Sequence, residues 1–475
     1  MVSVTSYLLS AAALTALIAS LAFSAVRLRK LTLPTWQGAP AHLADTIVGV
    51  SLLIWLSELL GLLNLLYAWS LVLSTLLLAG ALAWRTRAPT KPASPAGGVG
   101  VGSTPPCEGC GGQGLAPDSE TSLRPEQRVA QGGDPTPATG PAGQNAWSLV
   151  ITTAVVAVVF AHWGLTAKSA LDRGVFNFDS LWYHLPFAVE MAHSHSVTGL
   201  QYPETVYVNW AFPQNSELLH AVGILLTHRD TLSLFLNFGW LALAFLAAWC
   251  VGRPYGRGHL TTIAAAIVLE CHTLVVREPG AAKNDLMAAA LLLAAIAILV
   301  NAWAAGRERQ GGGDDSEPLS LPVGWPLAVA GLATGLAAGT KYTALAMAAA
   351  LTVAVIALAP TGRRRAAAAW WFLPALAAGG FWYLRNLVVA GNPLPEVAHL
   401  GPISLPHPER LQSARPEFSI VHYATDTAVW RHYFAPGLHQ ALGLLWPLVA
   451  AGAIVAALFM LLRGRDRVLR WMSAV

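Results

Sequence analysis

Charge is scarce in this sequence. Only 11% of its 475 residues are Asp, Glu, Lys or Arg, less than half of the roughly 25% carried by a soluble domain. That excludes an ordinary water-soluble globule. The formal net charge of +4 is small, and no basic run with interleaved aromatics is present, so nucleic acid is excluded as a partner. Cysteine is scarcer still, with four residues. Cys250 and Cys271 sit in or beside apolar runs, and Cys107 and Cys110 form a lone CEGC. A zinc site needs about four ligands, so this pair reads as two thiols in a reduced cytosolic loop. Positive charge is also missing ahead of the first apolar run: Arg27, Arg29 and Lys30 come after it. A secretory leader has the opposite order, so the run reads as a retained span with its N-terminus outside.

What the chain does have is apolar length. Hydrophobic residues make up 55% of it, in runs close to the ~20 residues that cross a bilayer as a helix. The runs fall at 4–26, 43–65, 67–84, 146–165, 230–250, 259–276, 285–304, 322–339, 342–359, 367–387 and 438–462. The expected fold is all-α, a polytopic membrane bundle of about eleven spans. Alternating the loops from a cytoplasmic first loop puts most of the 29 lysines and arginines on the cytoplasmic side, as the positive-inside rule requires. Residues 86–145 are a Pro, Gly, Ser and Thr mixture. Such a stretch buries too little apolar surface to offset its ordering entropy. It reads as a disordered cytoplasmic linker between an N-terminal three-span segment, 1–85, and a membrane core, 146–475.

Two outer loops are long, 166–229 and 388–437. The first contains FNFDSLWYHLPFAVEMAHSHS, Phe176 to Ser196. Leu181, Leu185 and Ala188 form one helical stripe there, with Trp182 and Phe187 alongside, as in a helix lying in the membrane interface. Pro186 is expected to kink it. Asp179 stands at its start and fits a helix cap, and Tyr183 and His184 fit an interfacial belt with polar tips in water. A second helix, Asn215 to His228, leads into the next span. The following outer turn, REPGAAKND, concentrates Arg277, Glu278, Lys283 and Asp285 in nine residues. Asn284 or Asp285 fits a cap, and Arg277 and Lys283 fit snorkelling cations. Lys341 and Tyr342 occupy a tight outer turn, and Arg385 and Asn386 lie near the outer end of a span.

Charge bias places all these groups on one side without reference to the motifs. Two carboxylates, several cations and several aromatics then face one aqueous pocket above the membrane. Ionisable groups near the hydrocarbon edge are costly and mark function. The pattern suits a reaction on a lipid-borne phosphate, with a carboxylate as base and cations, or a metal held by carboxylates, neutralising the departing phosphate.

These motifs (FDSLWYHLP, KND, GTKYTA, and WYLRN followed by GNPLP) resemble the GT-C superfamily of integral-membrane glycosyltransferases over roughly two thirds of the chain. The likeness is to the bacterial branch related to protein O-mannosyltransferases and aminoarabinose transferases. The resemblance implies a polyprenyl-phosphate-linked sugar donor and an envelope glycan, lipid or protein acceptor. It also implies inversion at the anomeric centre and an extracytoplasmic site on a multi-pass protein of the inner (plasma) membrane. Asp179 takes the place of the family's catalytic base, and Asp285 that of its second acid. Arg385 and Lys341 match the family's phosphate contacts, with Tyr183, His184, Lys283, Tyr342 and Asn386 completing the expected substrate-binding set. A divalent cation, magnesium or manganese, stays open, with Asp179 and Asp285 as its ligands. Asp179 lacks the adjacent acidic partner common in relatives, and no soluble outer domain follows the spans. A transporter or lipid flippase is the competing reading. It calls for ionisable groups at mid-membrane depth and paired repeats, and no internal duplication is found. An assembly or scaffold subunit is the third, to which the linker and the leading spans loosely fit.

Overall fold

The computed structural model describes residues 4–85, 146–200, 208–309, 321–407, 420–463 and 470. The linker reading and the CEGC pair lie outside the described residues. Among the described residues, seventeen α-helices run in chain order. They are α1 (Val4–Thr32), α2 (Ala39–Leu62), α3 (Ala68–Arg85), α4 (Ala146–Arg173), α5 (Leu185–Ser194), α6 (Asn215–Thr227) and α7 (Ser233–Gly252). Then follow α8 (Gly258–Leu269), α9 (His272–Arg277), α10 (Asp285–Arg309), α11 (Trp325–Ala338), α12 (Ala344–Leu358) and α13 (Arg364–Ala390). The chain closes with α14 (Ile420–Tyr423), α15 (Thr427–Val429), α16 (Ala435–Leu442) and α17 (Trp446–Arg463). Among the described residues the sheet content is one exposed hairpin, β1 (His399–Leu400) paired antiparallel with β2 (Ile403–Ser404).

Among the described residues, eight helices are long and apolar enough to cross a membrane: α1, α2, α3, α4, α7, α10, α13 and α17. The remaining three apolar runs form α8, α11 and α12, of 12, 14 and 15 residues. A 12-residue helix reaches only about 18 Å. The run at 259–276 is not one helix: α8 ends at Leu269, Cys271 has extended backbone, and α9 restarts at His272. At this break the Glu270 carboxylate meets His162 Nδ1 of α4 at 2.7 Å.

The core is centred on α10, which is buried along most of its length against α7 and α11. α11 crosses α13 very closely. A Cβ added at Gly335 would stand 2.1 Å from the Ala375 carbonyl oxygen, so only glycine permits this approach. Small residues at helix crossings are how membrane bundles gain packing where apolar burial gives no advantage over lipid. The crossing matters for the site, because Lys341 and Tyr342 follow α11 and Arg385 and Asn386 lie on α13. The leading helices α1–α3 share one continuous buried core with the rest. α2 packs on α6, α7, α10, α11 and α13, and Trp55 Nε1 donates to the Ala377 carbonyl at 2.7 Å.

Candidate active site

Asp179 opens a π-turn, Ser180–His184, which Leu185 N–H closes onto the Ser180 carbonyl. The extra residue of a π-turn is uncommon and recurs at functional sites. Pro186 is the second residue of α5 and directly follows the π-turn in a helical run unbroken from residue 178 to 194. A proline inside a helix lacks one ladder N–H and crowds the preceding turn, and the π-turn lies where that disturbance falls. Asp179 is not a cap, for its carboxylate accepts no helix N–H. It is 41% exposed and lies 3.2 Å from the Lys283 ammonium.

Lys283 does not snorkel. Its side chain is only 9% exposed, and it also approaches Asp285 at 3.4 Å and Glu278 at 3.9 Å. The turn that carries it bends at Gly280, at φ +70, where a Cβ would strike Ala170 of α4 at 2.7 Å. Asn237 of α7 pins the same turn by donating to the carbonyls of Glu278 and Ala281 at 2.9 and 3.2 Å. Asn284 donates to the Thr340 carbonyl at 3.1 Å, tying the KND turn to the GTKY turn. Lys341 from that second turn pairs with Asp285. Asp179, Lys283, Asp285 and Lys341 therefore form one alternating chain of charge.

Burial alone would lower the Lys283 ammonium, but Asp285, Glu278 and Asp179 together outweigh it and hold its proton more tightly than usual. Glu278 is pushed up to about 7, first by burial and then by Asp285, with Lys283 and Lys341 pulling the other way. The raised value lightens the negative charge that the two cations face. Tyr183 is raised above the ordinary phenol range by burial, then by Glu217, Asp179, Asp285 and Glu278. It keeps its proton as a donor among carboxylates.

The second half of the site surrounds the carbonyls of Trp210 and Ala211. Arg385 Nη1 donates to Trp210 at 2.7 Å, Asn386 Nδ2 to Ala211 at 2.6 Å and Tyr342 Oη to Ala211 at 2.7 Å. Phe212 joins the halves, its ring centroid 6.3 Å from Tyr183 and 5.4 Å from Tyr342. Arg385 does not reach towards water. It is 6% exposed, lies over the rings of Trp210 and Trp382 at 5.6 and 5.9 Å, and its Nε and Nη2 have no protein partner. A buried guanidinium with two open nitrogens is suited to an anion.

His184 departs from expectation. It is fully buried and its Nδ1 meets the Glu217 carboxylate, which is buried as well, so it offers no face to a ligand or to an interfacial belt. Phe187, Ala188 and Met191 are likewise buried, while Leu181 and Trp182 remain exposed. α5 and α6 are thus packed on each other, and α6 packs on α1, α2, α3 and α7. Sequence reasoning missed Ser180 and Glu217. Their signal was a serine directly after Asp179 and a carboxylate inside the otherwise apolar SELLHAVGILL.

Among the described residues no group of three His, Cys, Asp or Glu side chains could hold a metal ion. Between Asp179 and Asp285 stands the Lys283 ammonium, which already supplies positive charge there. The donor set does not fit a resident divalent cation.

An apolar groove of about 610 Å³ lies between α7, α8, α9 and α10. Asp285 stands in its lining, with Ala248, Val268, Leu274, Leu286 and Leu293 among the apolar groups. The charged cluster and a lipid-sized apolar surface are therefore continuous. No family model, no curated protein and no solved structure matches the chain.

Proposed function

We propose that this chain is an integral-membrane glycosyltransferase of the GT-C type, moving a sugar from a polyprenyl-phosphate carrier to an acceptor hydroxyl at the extracytoplasmic face. The observation that carries the reading is Asp179, a half-exposed carboxylate 3.2 Å from a buried ammonium shared with Asp285, beside the apolar groove that Asp285 lines.

A carrier phosphate is a better partner for Lys283, Lys341 and the open nitrogens of Arg385 than carboxylates that hold half their surface in water. Its arrival draws Lys283 from Asp179 and leaves that carboxylate free to accept a proton. Asp179 then takes the proton of the acceptor hydroxyl as its oxygen bonds to the anomeric carbon of the sugar. The bond from that carbon to the phosphate oxygen breaks, and polyprenyl phosphate departs with the electron pair. The cations neutralise the developing charge in a partly dewatered setting, where such stabilisation is strongest. Attack opposite to the departing phosphate inverts the anomeric centre. Tyr183, kept protonated, donates a hydrogen bond to the sugar or phosphate, and the groove takes the prenyl tail.

Purified protein incubated with radiolabelled polyprenyl-phosphate sugars and a lipid extract is expected to move label into a new covalent product. Net flux of the carrier across sealed liposomes, with no covalent product from any sugar, would replace this reading by transport.

A further inference from the structure

The π-turn that presents Asp179 and Tyr183 is tied down at both of its ends, each time by a buried side chain. At its first residue, Ser180 Oγ accepts from the Ala282 backbone N–H at 3.0 Å and donates to the Ala282 carbonyl at 3.2 Å. Ser180 and Ala282 are both 0% exposed. Ser180 directly follows Asp179, and Ala282 directly precedes Lys283. One hydroxyl thus locks the two neighbours of the Asp179–Lys283 pair together, and the separation of that pair follows from the lock.

At the last residue of the turn, His184 bonds through Nδ1 to the Glu217 carboxylate of α6, again with both side chains buried. Two buried ionisable groups are costly to bring out of water, and a fold retains them where they fix one geometry among several. His220, three residues further along α6, stays neutral beside them: burial, and then His184, push its imidazole down to about 3. His184 also lies under the Tyr183 ring, centroids 4.0 Å apart. An α-helical turn in place of the π-turn would remove one residue, and each residue rotates a helix by about 100°. Asp179 and Tyr183 would then face elsewhere.

We propose that Ser180 and His184 are positioning residues, which hold the π-turn open against Ala282 and Glu217 and so set the Asp179 carboxylate opposite Lys283. Only the activity arm of the following test rests on the glycosyl-transfer reading.

The test uses the full chain in detergent and compares wild type with S180A, H184A and H184N. S180A removes a single oxygen. H184N places an amide nitrogen near the position of Nδ1 and keeps a donor for Glu217. Acetylation of lysines by an amine reagent, followed by peptide mass spectrometry, reports on Lys283, with exposed Lys168 as the internal reference. Lys283 is expected to be protected in wild type and H184N and to react about ten-fold faster in S180A and H184A, a change equivalent to ~1.4 kcal/mol of lost protection. In the activity arm, kcat is expected to fall roughly 10- to 100-fold in S180A and H184A, as ångström-scale misplacement does. KM for the carrier should change little and H184N should recover most of the rate. Wild-type protection of Lys283 in both S180A and H184A would overturn the proposal, as would an H184N variant as impaired as H184A. Deprotection in a protein that transfers no sugar from any carrier would uphold the anchors and remove the transfer reading. Retained protection removes the anchors whatever the protein catalyses.

Discussion

The Lys283 ammonium lies 3.2 Å from the Asp179 carboxylate, across a fold that places α5 to α9 between them in the chain. Lys283 also serves Asp285 and Glu278, so its removal leaves three carboxylates facing one remaining cation, Lys341. K283M is expected to abolish transfer and to lower the thermal unfolding midpoint in detergent. The loss in midpoint should be larger at pH 8 than at pH 5, since more of the carboxylates are ionised at pH 8. K283R should keep the fold, because it keeps the charge. Equal midpoints for K283M and wild type at both pH values would show that the ion cluster contributes nothing to the fold.

Arg385 separates binding from stability. Its guanidinium is buried with Nε and Nη2 unpartnered, so the free protein gains little from the charge. R385M is expected to shift the unfolding midpoint only slightly: it removes one hydrogen bond to the Trp210 carbonyl and the contacts with two rings, but it also removes a buried charge that is costly to desolvate. It should raise KM for the phosphate carrier roughly 10- to 100-fold, the loss of a charge-assisted contact worth about 1.5–3 kcal/mol. A large drop in stability with an unchanged KM would mean that Arg385 serves the fold and not an anion.

Glu278 sets a pH dependence. Its carboxyl rises from an ordinary 4.5 to about 7 on folding. The folded chain therefore holds that proton more tightly than the unfolded chain. The resulting stability is fully present below pH 4.5 and is lost as pH rises through 7. The difference corresponds to roughly 3 kcal/mol. E278Q should flatten the decline of the unfolding midpoint between pH 5 and pH 8, and above pH 7 it should be more stable than wild type. A decline as steep in E278Q as in wild type would assign it to other groups.

The α11–α13 crossing makes a packing prediction. At Gly335 a methyl group would meet the Ala375 carbonyl at 2.1 Å, and at Gly379 one would meet the Gly335 carbonyl at the same distance. G335A is expected to cost roughly 1–3 kcal/mol of stability. It should also impair activity, because the crossing carries Lys341 and Tyr342 towards Arg385 and Asn386. G362A is the control, as a Cβ there meets nothing within 4 Å, and its thermal unfolding should match wild type.

Much of this was legible before any coordinates. Eight of the apolar runs form helices long enough to span, because continuous apolar length needs no tertiary information. Asp179, Lys283, Asp285 and Lys341 were legible as a group because charge at a hydrocarbon edge is rare enough to stand out. Their charges meet in one cluster, while the side of the membrane they face belongs to the proposal. His184 reads in the sequence as an interfacial residue with its polar tip in water, for a histidine beside a tyrosine looks alike whether buried or exposed, and an arginine at a helix end gives as little sign of its burial. His184 is met by Glu217, which is distant in sequence; Arg385 lies over Trp210, also distant, and over Trp382, one turn back on its own helix. Ser180 left only its place after Asp179 as a sign, since its role is a contact with Ala282. The break at Glu270–Cys271 left no signal beyond one carboxylate in an apolar run.

The central claim is that the Asp179 carboxylate accepts a proton while a carrier phosphate holds the neighbouring cations. The most direct measurement is the rate of label transfer from polyprenyl-phosphate sugars by purified D179N and wild-type protein, each first checked for equal thermal unfolding and equal carrier binding. The account predicts that D179N binds the carrier as well as wild type and transfers label at least about a hundred-fold more slowly, the scale of a lost general base. Transfer by D179N at the wild-type rate would contradict it.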